Sequence, residues 1–129
     1  MYYYLIRDGF IIDSVGTCYE AYKKLNSEIK YSIIISDLYF PLYDTDKLTY
    51  EELPKELKTC YKNKRDSGIC IIEWILKKKR EIIPIIVISV DIETHLSTLH
   101  GLGIKYILSM SSITPQRLHQ TVRNIISEI

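Results

Sequence analysis

The sequence predicts an α/β domain with an open, doubly wound and mainly parallel sheet. Two observations lead to this fold class: short runs rich in isoleucine and valine alternate with stretches of helical spacing, and the two strongest runs are apolar almost throughout. Continuous apolar runs are typical of parallel strands that helices cover on both faces. The chain has 129 residues, which is the length of a single domain.

Four segments have the composition of strands, because β-branched and aromatic residues dominate them. The predicted strands are Phe10–Val15, Tyr31–Ser36, Ile85–Val90 and Lys105–Leu108. The second and third are the two continuous apolar runs. Their alternation with helical segments favours right-handed crossovers and a parallel sheet.

Between the strands, apolar residues recur at intervals of three and four, as one buried helix face requires. Ile69, Ile72 and Leu76 show this spacing, and Thr114 before Pro115 has the pattern of an N-cap and first helical position. The predicted helices are Cys18–Asn26, Ile69–Arg80, Thr94–Leu102 and Pro115–Ile126.

Two segments do not follow the alternation. Residues 42–67 are polar and contain Pro54, so we interpret them as an inserted loop in which Tyr50–Cys60 can form a short helix. At the N-terminus two alternatives remain open. Either Tyr2–Ile6 and Phe10–Val15 form a hairpin, or Tyr2–Arg7 ends a helix at Gly9 and the first βα unit is truncated.

Composition excludes several functional classes. A net charge of +1 gives no field for nucleic acid or an anionic membrane, and no apolar run approaches the roughly 20 residues of a membrane span. Glycine-rich phosphate loops, gathered histidines and nucleophile–base sets are absent from the sequence, so we do not expect an enzyme. We expect a cytoplasmic protein.

The three cysteines show neither CxxC spacing nor an even number. We therefore expect no disulfide framework and no structural zinc site. Cys70 lies at an apolar helix position and is predicted to be a core residue. Cys18 and Cys60 are predicted to be partly exposed and unpaired. A reducing cytoplasm fits this pattern.

Chemistry in such sheets lies beyond the carboxyl ends of the strands, where Asp37 ends a predicted strand and precedes Leu38 and Pro41. Three later motifs follow in a fixed order. They are Ser67-Gly68, Pro84–Ser89 and Leu102–Leu108. Over about Phe10–Ile126 this order resembles the response-regulator receiver family, whose fold is flavodoxin-like (CheY-like).

The resemblance implies a signalling domain in a two-component phosphorelay. Asp37 corresponds to the phosphoacceptor, while Ser89 and Tyr106 correspond to the switch residues. A Mg²⁺ ion would be bound by Asp37 and, if the N-terminal hairpin forms, by Asp8. Expected partners are a histidine kinase or phosphotransfer protein and an output protein, bound on the face of the last two helices and last strand.

The sequence departs from the receiver pattern at three places. No acidic pair follows a first strand, residues 42–67 are inserted beside Asp37, and Ser109 occupies the position of the receiver lysine. A serine lacks the charge-assisted contact that lysine makes to a phosphoryl group, worth about 1.5–3 kcal/mol.

Two alternatives therefore accompany the phosphorelay prediction. The first is a pseudo-receiver, a protein-interaction module without phosphorylation. The second is a small enzyme on a flavodoxin-like scaffold, with Asp37 and the insertion forming the substrate site. An open sheet without its first strand would also expose backbone groups, which predicts a homodimer.

Overall fold

The computed structural model describes residues 2–62, 66–78 and 83–128. Three strands alternate with helices along these ranges. The strands are β1 (Ile34–Ser36), β2 (Ile85–Ser89) and β3 (Tyr106–Ser109). The helices are α1 (Tyr3–Arg7), α2 (Cys18–Leu25), α3 (Lys55–Lys62), α4 (Ser67–Lys78), α5 (Ile92–Gly101) and α6 (Pro115–Ser127), with one 3₁₀ turn at Tyr50–Glu52.

The sheet is three-stranded and all parallel, with the order β1-β2-β3. Ile35 lies opposite Ile86, and Ser89 lies opposite Ser109. This confirms the predicted α/β class and three of the four predicted strands, although β1 begins three residues later than predicted. Because the strands are parallel, their carboxyl ends all lie at the same end of the sheet. We call this end, which the strands point towards, the carboxyl edge.

Local sequence explains the helix boundaries. Thr17 accepts a hydrogen bond from the amide of Glu20 and begins α2, while Thr114 accepts one from Arg117 and begins α6 with Pro115 at its first position. The four predicted helices are confirmed to within two residues wherever the chain is described. The predicted end of α4 at residues 79–80 lies outside the described residues.

The prediction of a strand at Phe10–Val15 is wrong. These residues form no strand, and Ile11 is 96% exposed. Of the two N-terminal alternatives, the helix is present and the hairpin is not: α1 precedes Gly9, whose φ of 93° lies in the left-handed region that glycine adopts without strain.

Residues 42–67 are more ordered than an inserted loop, because the 3₁₀ turn, α3 and the first residue of α4 lie within them. Leu53 and Leu57 are almost fully buried in the core. The predicted short helix is confirmed, but it occupies Lys55–Lys62 after Pro54 rather than running through the proline. Residues 63–65 lie outside the described residues.

The prediction for two of the cysteines is also wrong. Cys60 of α3 and Cys70 of α4 form a disulfide with a Cα–Cα distance of 5.9 Å. Cys18, predicted to be partly exposed, is completely buried beneath α4. Cys70 is buried as predicted. The disulfide joins the segment around α3 covalently to the core helix α4.

The core consists of two clusters, one on each face of the sheet. The larger includes Ile85 and Val87 of β2 and the apolar faces of α2, α3 and α4. The smaller includes Ile86 and Ile88 of β2 and the apolar face of α6. All five residues of β2 are buried, as its continuous apolar run requires. None of the described helices is long and apolar enough to cross a membrane.

Candidate functional site

Asp37 directly follows β1 at the carboxyl edge, and its side chain is exposed. Its Oδ1 accepts hydrogen bonds from the amide of Leu38 at 2.6 Å and from the amide of Tyr39 at 3.4 Å. These local bonds hold the carboxylate over the loop that follows the strand. The second oxygen, Oδ2, makes no hydrogen bond to the described residues and faces outward.

The first turn of α4 packs against the backbone of this loop. The amide of Gly68 donates to the carbonyl oxygen of Leu38 at 3.0 Å. A Cβ on Gly68 would overlap both the carbonyl oxygen of Asp37 and the Cα of Leu38. Only glycine therefore allows α4 to come this close, and the position of Asp37 depends on it.

Ser89 and Ser109 end the two neighbouring strands at the same edge. Ser89 is completely buried, and its Oγ accepts a 3.4 Å hydrogen bond from the amide of Asp91. The hydroxyl of Ser109 shares a 2.8 Å hydrogen bond with the hydroxyl of Ser111. The structure thus brings Asp37, Ser89 and Ser109 to one edge, as predicted, but both hydroxyls already bond to groups of this chain.

A network that the sequence did not predict lies beside Asp37. The hydroxyl of Tyr39 lies 2.6 Å from Nε2 of His95 and donates to the carboxylate of Asp91 at 3.2 Å. The same His95 nitrogen lies 3.2 Å from the carboxylate of Asp66. Tyr39 follows β1, Asp66 precedes α4 and His95 lies on α5, so these contacts join three elements around the carboxyl edge.

The charges of the network change two pKa values. The pKa of Tyr39 lies above 10, first because the phenol is desolvated and then because the carboxylates of Asp91, Asp66 and Asp37 disfavour a phenolate. The pKa of Asp91 lies below its usual value, chiefly because its carboxylate accepts a hydrogen bond from Thr94. The edge therefore carries three carboxylates near one neutral phenol.

Apolar side chains follow the strands at the same edge. Tyr39 after β1, Val90 after β2 and Met110 after β3 are 41%, 74% and 39% exposed. Tyrosine and methionine are enriched in protein interfaces, and neighbouring exposed apolar residues often mark contact surfaces. The carboxyl edge is therefore apolar at the three strand ends and acidic around Tyr39.

Two predicted site residues lie away from this edge. Tyr106 begins β3, at the opposite end of the strand from Ser109, and its hydroxyl donates to Glu128 at 2.9 Å. Asp8 follows α1 and accepts hydrogen bonds from Arg123 at 2.6 Å and from His119 at 3.2 Å. The structure does not bring either residue together with Asp37.

The Mg²⁺ site implied by the receiver resemblance is not built by the described residues. Across residues 2–62, 66–78 and 83–128, no three His, Cys, Asp or Glu side chains are grouped to hold a metal ion. Asp91 and Asp66 face hydroxyl and imidazole groups, and Asp8 faces Arg123 and His119 of α6. No chemical step through a metal is therefore derived.

Part of the missed network had a signal in the sequence. Asp91 follows a predicted strand just as Asp37 does, so the rule that selected Asp37 also applied to it. His95 lies four residues further along, on the same side of the following helix. Its contact with Tyr39 spans 56 residues and has no local signal.

Comparison with protein-family profiles and with curated protein sequences finds no match for this chain.

Proposed function

We propose that this chain is a receiver-like signalling domain in degenerate form, which binds protein partners at the carboxyl edge of its sheet rather than acting as an enzyme. The observation that carries this proposal is the exposure of Tyr39, Val90 and Met110, one after each strand, at the edge where Asp37 lies. Exposed apolar side chains at neighbouring strand ends are typical of a contact surface.

The finer fold class belongs to the same proposal. A flavodoxin-like, doubly wound arrangement is supported by the strand order and by core clusters on both faces of the sheet. A cytoplasmic location belongs to the same proposal, and the Cys60–Cys70 disulfide counts against it, because disulfides persist mainly in oxidising compartments.

Charge defines the partner further. Asp37, Asp66 and Asp91 surround Tyr39, and His95 contacts both Tyr39 and Asp66. A partner that presents Lys or Arg around an apolar centre complements this edge, since opposite charges at the rim speed association and select partners. Output proteins and kinases of a phosphorelay are the partner classes that the receiver resemblance implies.

Phosphoryl transfer to Asp37 is the second candidate function. It is favoured by the exposed carboxylate, whose Oδ2 could attack a phosphorus atom without breaking an existing hydrogen bond. Against it stand the uncharged Ser109 at the lysine position and the absence of a metal site among the described residues. Phosphoryl transfer is therefore the weaker of the two candidate functions.

Intact-mass spectrometry after incubation with acetyl phosphate and magnesium separates the two candidates. The degenerate form predicts no added phosphoryl mass on either the wild type or Asp37→Asn. A phosphoryl mass on the wild type that is absent from Asp37→Asn would instead establish a working receiver. Circular dichroism of both samples shows that each protein is folded.

Partner binding is tested by proximity labelling in the native cell. Val90→Glu and Met110→Glu should each lose partners that the wild type labels, because a buried glutamate opposes an apolar contact. Ile11→Glu is the matched control, since Ile11 is fully solvated and lies outside the carboxyl edge. If all three variants keep the wild-type partners, this edge is not the binding surface.

A further inference from the structure

A groove of about 360 Å³ runs along β1 on the side away from β2. Residues 33–37, which are β1 and one residue on either side of it, all line the groove, and consecutive residues of a strand can share a groove only if it follows the edge of that strand. Val15 and Gly16 form part of the opposite wall, while Ile71 and Ile75 of α4 line it on one side of the sheet. Its volume lies within the range of about 300–1,000 Å³ of ligand clefts.

The backbone of β1 offers hydrogen-bonding groups to this groove. The amide of Ile34 donates to the carbonyl oxygen of Pro84 at 3.0 Å, so Ile34 faces β2. Successive residues of a strand point their backbone groups to opposite edges, so the N–H and C=O of Ile33 and Ile35 face the groove. Among the described residues, β1 pairs with β2 alone.

The side chains in and beside β1 are apolar on both faces, as in an interior strand. Among the described residues, however, β1 is the outer strand of the sheet. Ile34 packs in the larger core cluster, whereas Ile33 and Ile35 pack in the smaller one, so both faces are apolar. All three isoleucines are nevertheless only partly buried, while every residue of β2 is buried. Open edges are ordinarily protected by charge, proline or a covering element. A strand placed in the groove would complete the burial of β1.

The charged side chains that line the groove leave a negative charge at one of its ends. Asp13 and Lys24 line it and form an ion pair of 3.9 Å with each other. Asp37 lines its end at the carboxyl edge, and its exposed carboxylate has no ion-pair partner among the described residues. The lining of the groove is therefore mostly apolar, its one ion pair is neutral overall, and Asp37 makes one end negative.

We propose that this groove binds an extended peptide segment of a partner protein, which adds to β1 as a further strand and carries a Lys or Arg beside Asp37. Valine and isoleucine suit the centre of the segment, because both faces of the groove are apolar and a strand covered on both faces has continuous apolar side chains. The segment takes its backbone hydrogen bonds from Ile33 and Ile35. The groove shares Asp37 and Tyr39 with the surface of the proposed function, but neither Val90 nor Met110 lines it. Val90→Glu and Met110→Glu should therefore leave peptide binding unchanged, which separates the two proposals.

Four labelled peptides test the proposal by fluorescence anisotropy with the full chain. Each has the core Val-Ile-Val-Ile-Val with a Lys or a Glu at its first or last position, and a polyethylene glycol tail at the other end for solubility. One Lys peptide should bind saturably and about tenfold more tightly than the Glu peptide of the same design. The preferred Lys position shows whether the added strand is parallel or antiparallel to β1.

Two variants test the two parts of the site. Asp37→Asn should remove most of the preference for Lys over Glu while leaving binding of the core. Ile35→Pro removes an amide that faces the groove and not β2, so binding of every peptide should fall about tenfold. If Ile35→Pro does not fold, alternate N-methylation of the wild-type peptide removes the same hydrogen bonds and should weaken binding equally.

Three results would overturn the proposal. They are an absence of saturable binding by either Lys peptide, equal binding of Lys and Glu peptides, and binding that survives both Ile35→Pro and N-methylation. Light scattering on a size-exclusion column adds a fourth. A stable dimer that excess Lys peptide leaves intact, combined with no peptide binding, would show that a second copy of this chain and not a partner peptide occupies the groove.

Discussion

Gly68 lies directly against Leu38, with its amide bonded to the Leu38 carbonyl oxygen at 3.0 Å and no room for a side chain between the two backbones. This contact connects the first turn of α4 to the loop that positions Asp37. Helix interiors ordinarily favour alanine over glycine by about 1 kcal/mol. At Gly68 the close approach outweighs that preference.

Gly68→Ala should therefore destabilise the protein by about 1–3 kcal/mol, because its Cβ would force α4 away from Asp37 and Leu38. Urea unfolding measures the change. The matched control is Gly101→Ala at the end of α5, where an added Cβ meets no atom within 4 Å. That variant should be neutral or more stable, and equal effects of the two substitutions would contradict the packing described.

The disulfide between Cys60 and Cys70 should stabilise the fold. Their sequence separation is 10 residues, and a loop of this size corresponds to about 2–4 kcal/mol of lost chain entropy in the unfolded state. Thermal unfolding with and without a reductant should differ accordingly. Cys60→Ser should match the reduced wild type and should not respond to reductant.

Alkylation of native protein, followed by mass spectrometry, checks the cysteine assignment. Burial raises the pKa of Cys18 to about 12 and shields its thiol, so unreduced native protein should take up no label. After mild reduction, two labels should appear, on Cys60 and Cys70. Labelling of Cys60 without reduction would show that the pair is not bonded in solution.

The parts of the fold that were predicted correctly depend on local patterns. The spacing of Ile69 and Ile72 indicates a helix in any context, and the run Ile85–Ser89 is apolar enough to be a central strand. Phe10–Val15 has a similar composition, but a strand forms only beside a partner, and composition does not show whether one is present. Whether a neighbouring strand is present depends on the tertiary fold and not on the local sequence.

The candidate site was predictable to the same extent. Asp37 was selected because it ends a predicted parallel strand, whereas Ser89 and Ser109 were selected by the resemblance to receiver domains. Tyr39 and His95 were missed because their contact depends on how the loop after β1 lies over α5, which no local pattern determines. The pairing of Cys60 with Cys70 likewise depends on the packing of α3 against α4.

The ion pairs of Asp8 should make stability depend on acid pH. Its hydrogen bonds, first to Arg123 and then to His119, hold its pKa below 3.8. A carboxyl whose folded pKa is lowered stabilises the fold above its unfolded value, and this contribution disappears as the pH falls through the folded value. Wild type should exceed Asp8→Asn in stability at neutral pH, and the difference should begin to shrink near pH 3.8 and vanish once the pH falls below the lowered pKa of folded Asp8.

Urea unfolding from pH 7 to pH 2 measures this difference. Asp46→Asn is the control, because the Asp46 side chain is exposed and makes no ion pair with the described residues. A difference between wild type and Asp8→Asn that stays constant over this range would mean that Asp8 contributes through packing rather than charge.

Tyr31 should titrate well above the usual value of a tyrosine, because its hydroxyl donates a 2.6 Å hydrogen bond to Asp13. This bond is the main reason that its pKa rises to about 12, with desolvation and the charge of Asp13 adding to it. A tyrosine whose folded pKa is raised contributes stability that is complete below its unfolded value near 10 and is lost as the pH rises through about 12. Carbon NMR of labelled tyrosine should show one resonance, absent from Tyr31→Phe, with this late titration. Asp13→Asn should return it towards 10, whereas an unchanged midpoint would show that Asp13 does not hold the phenol in solution.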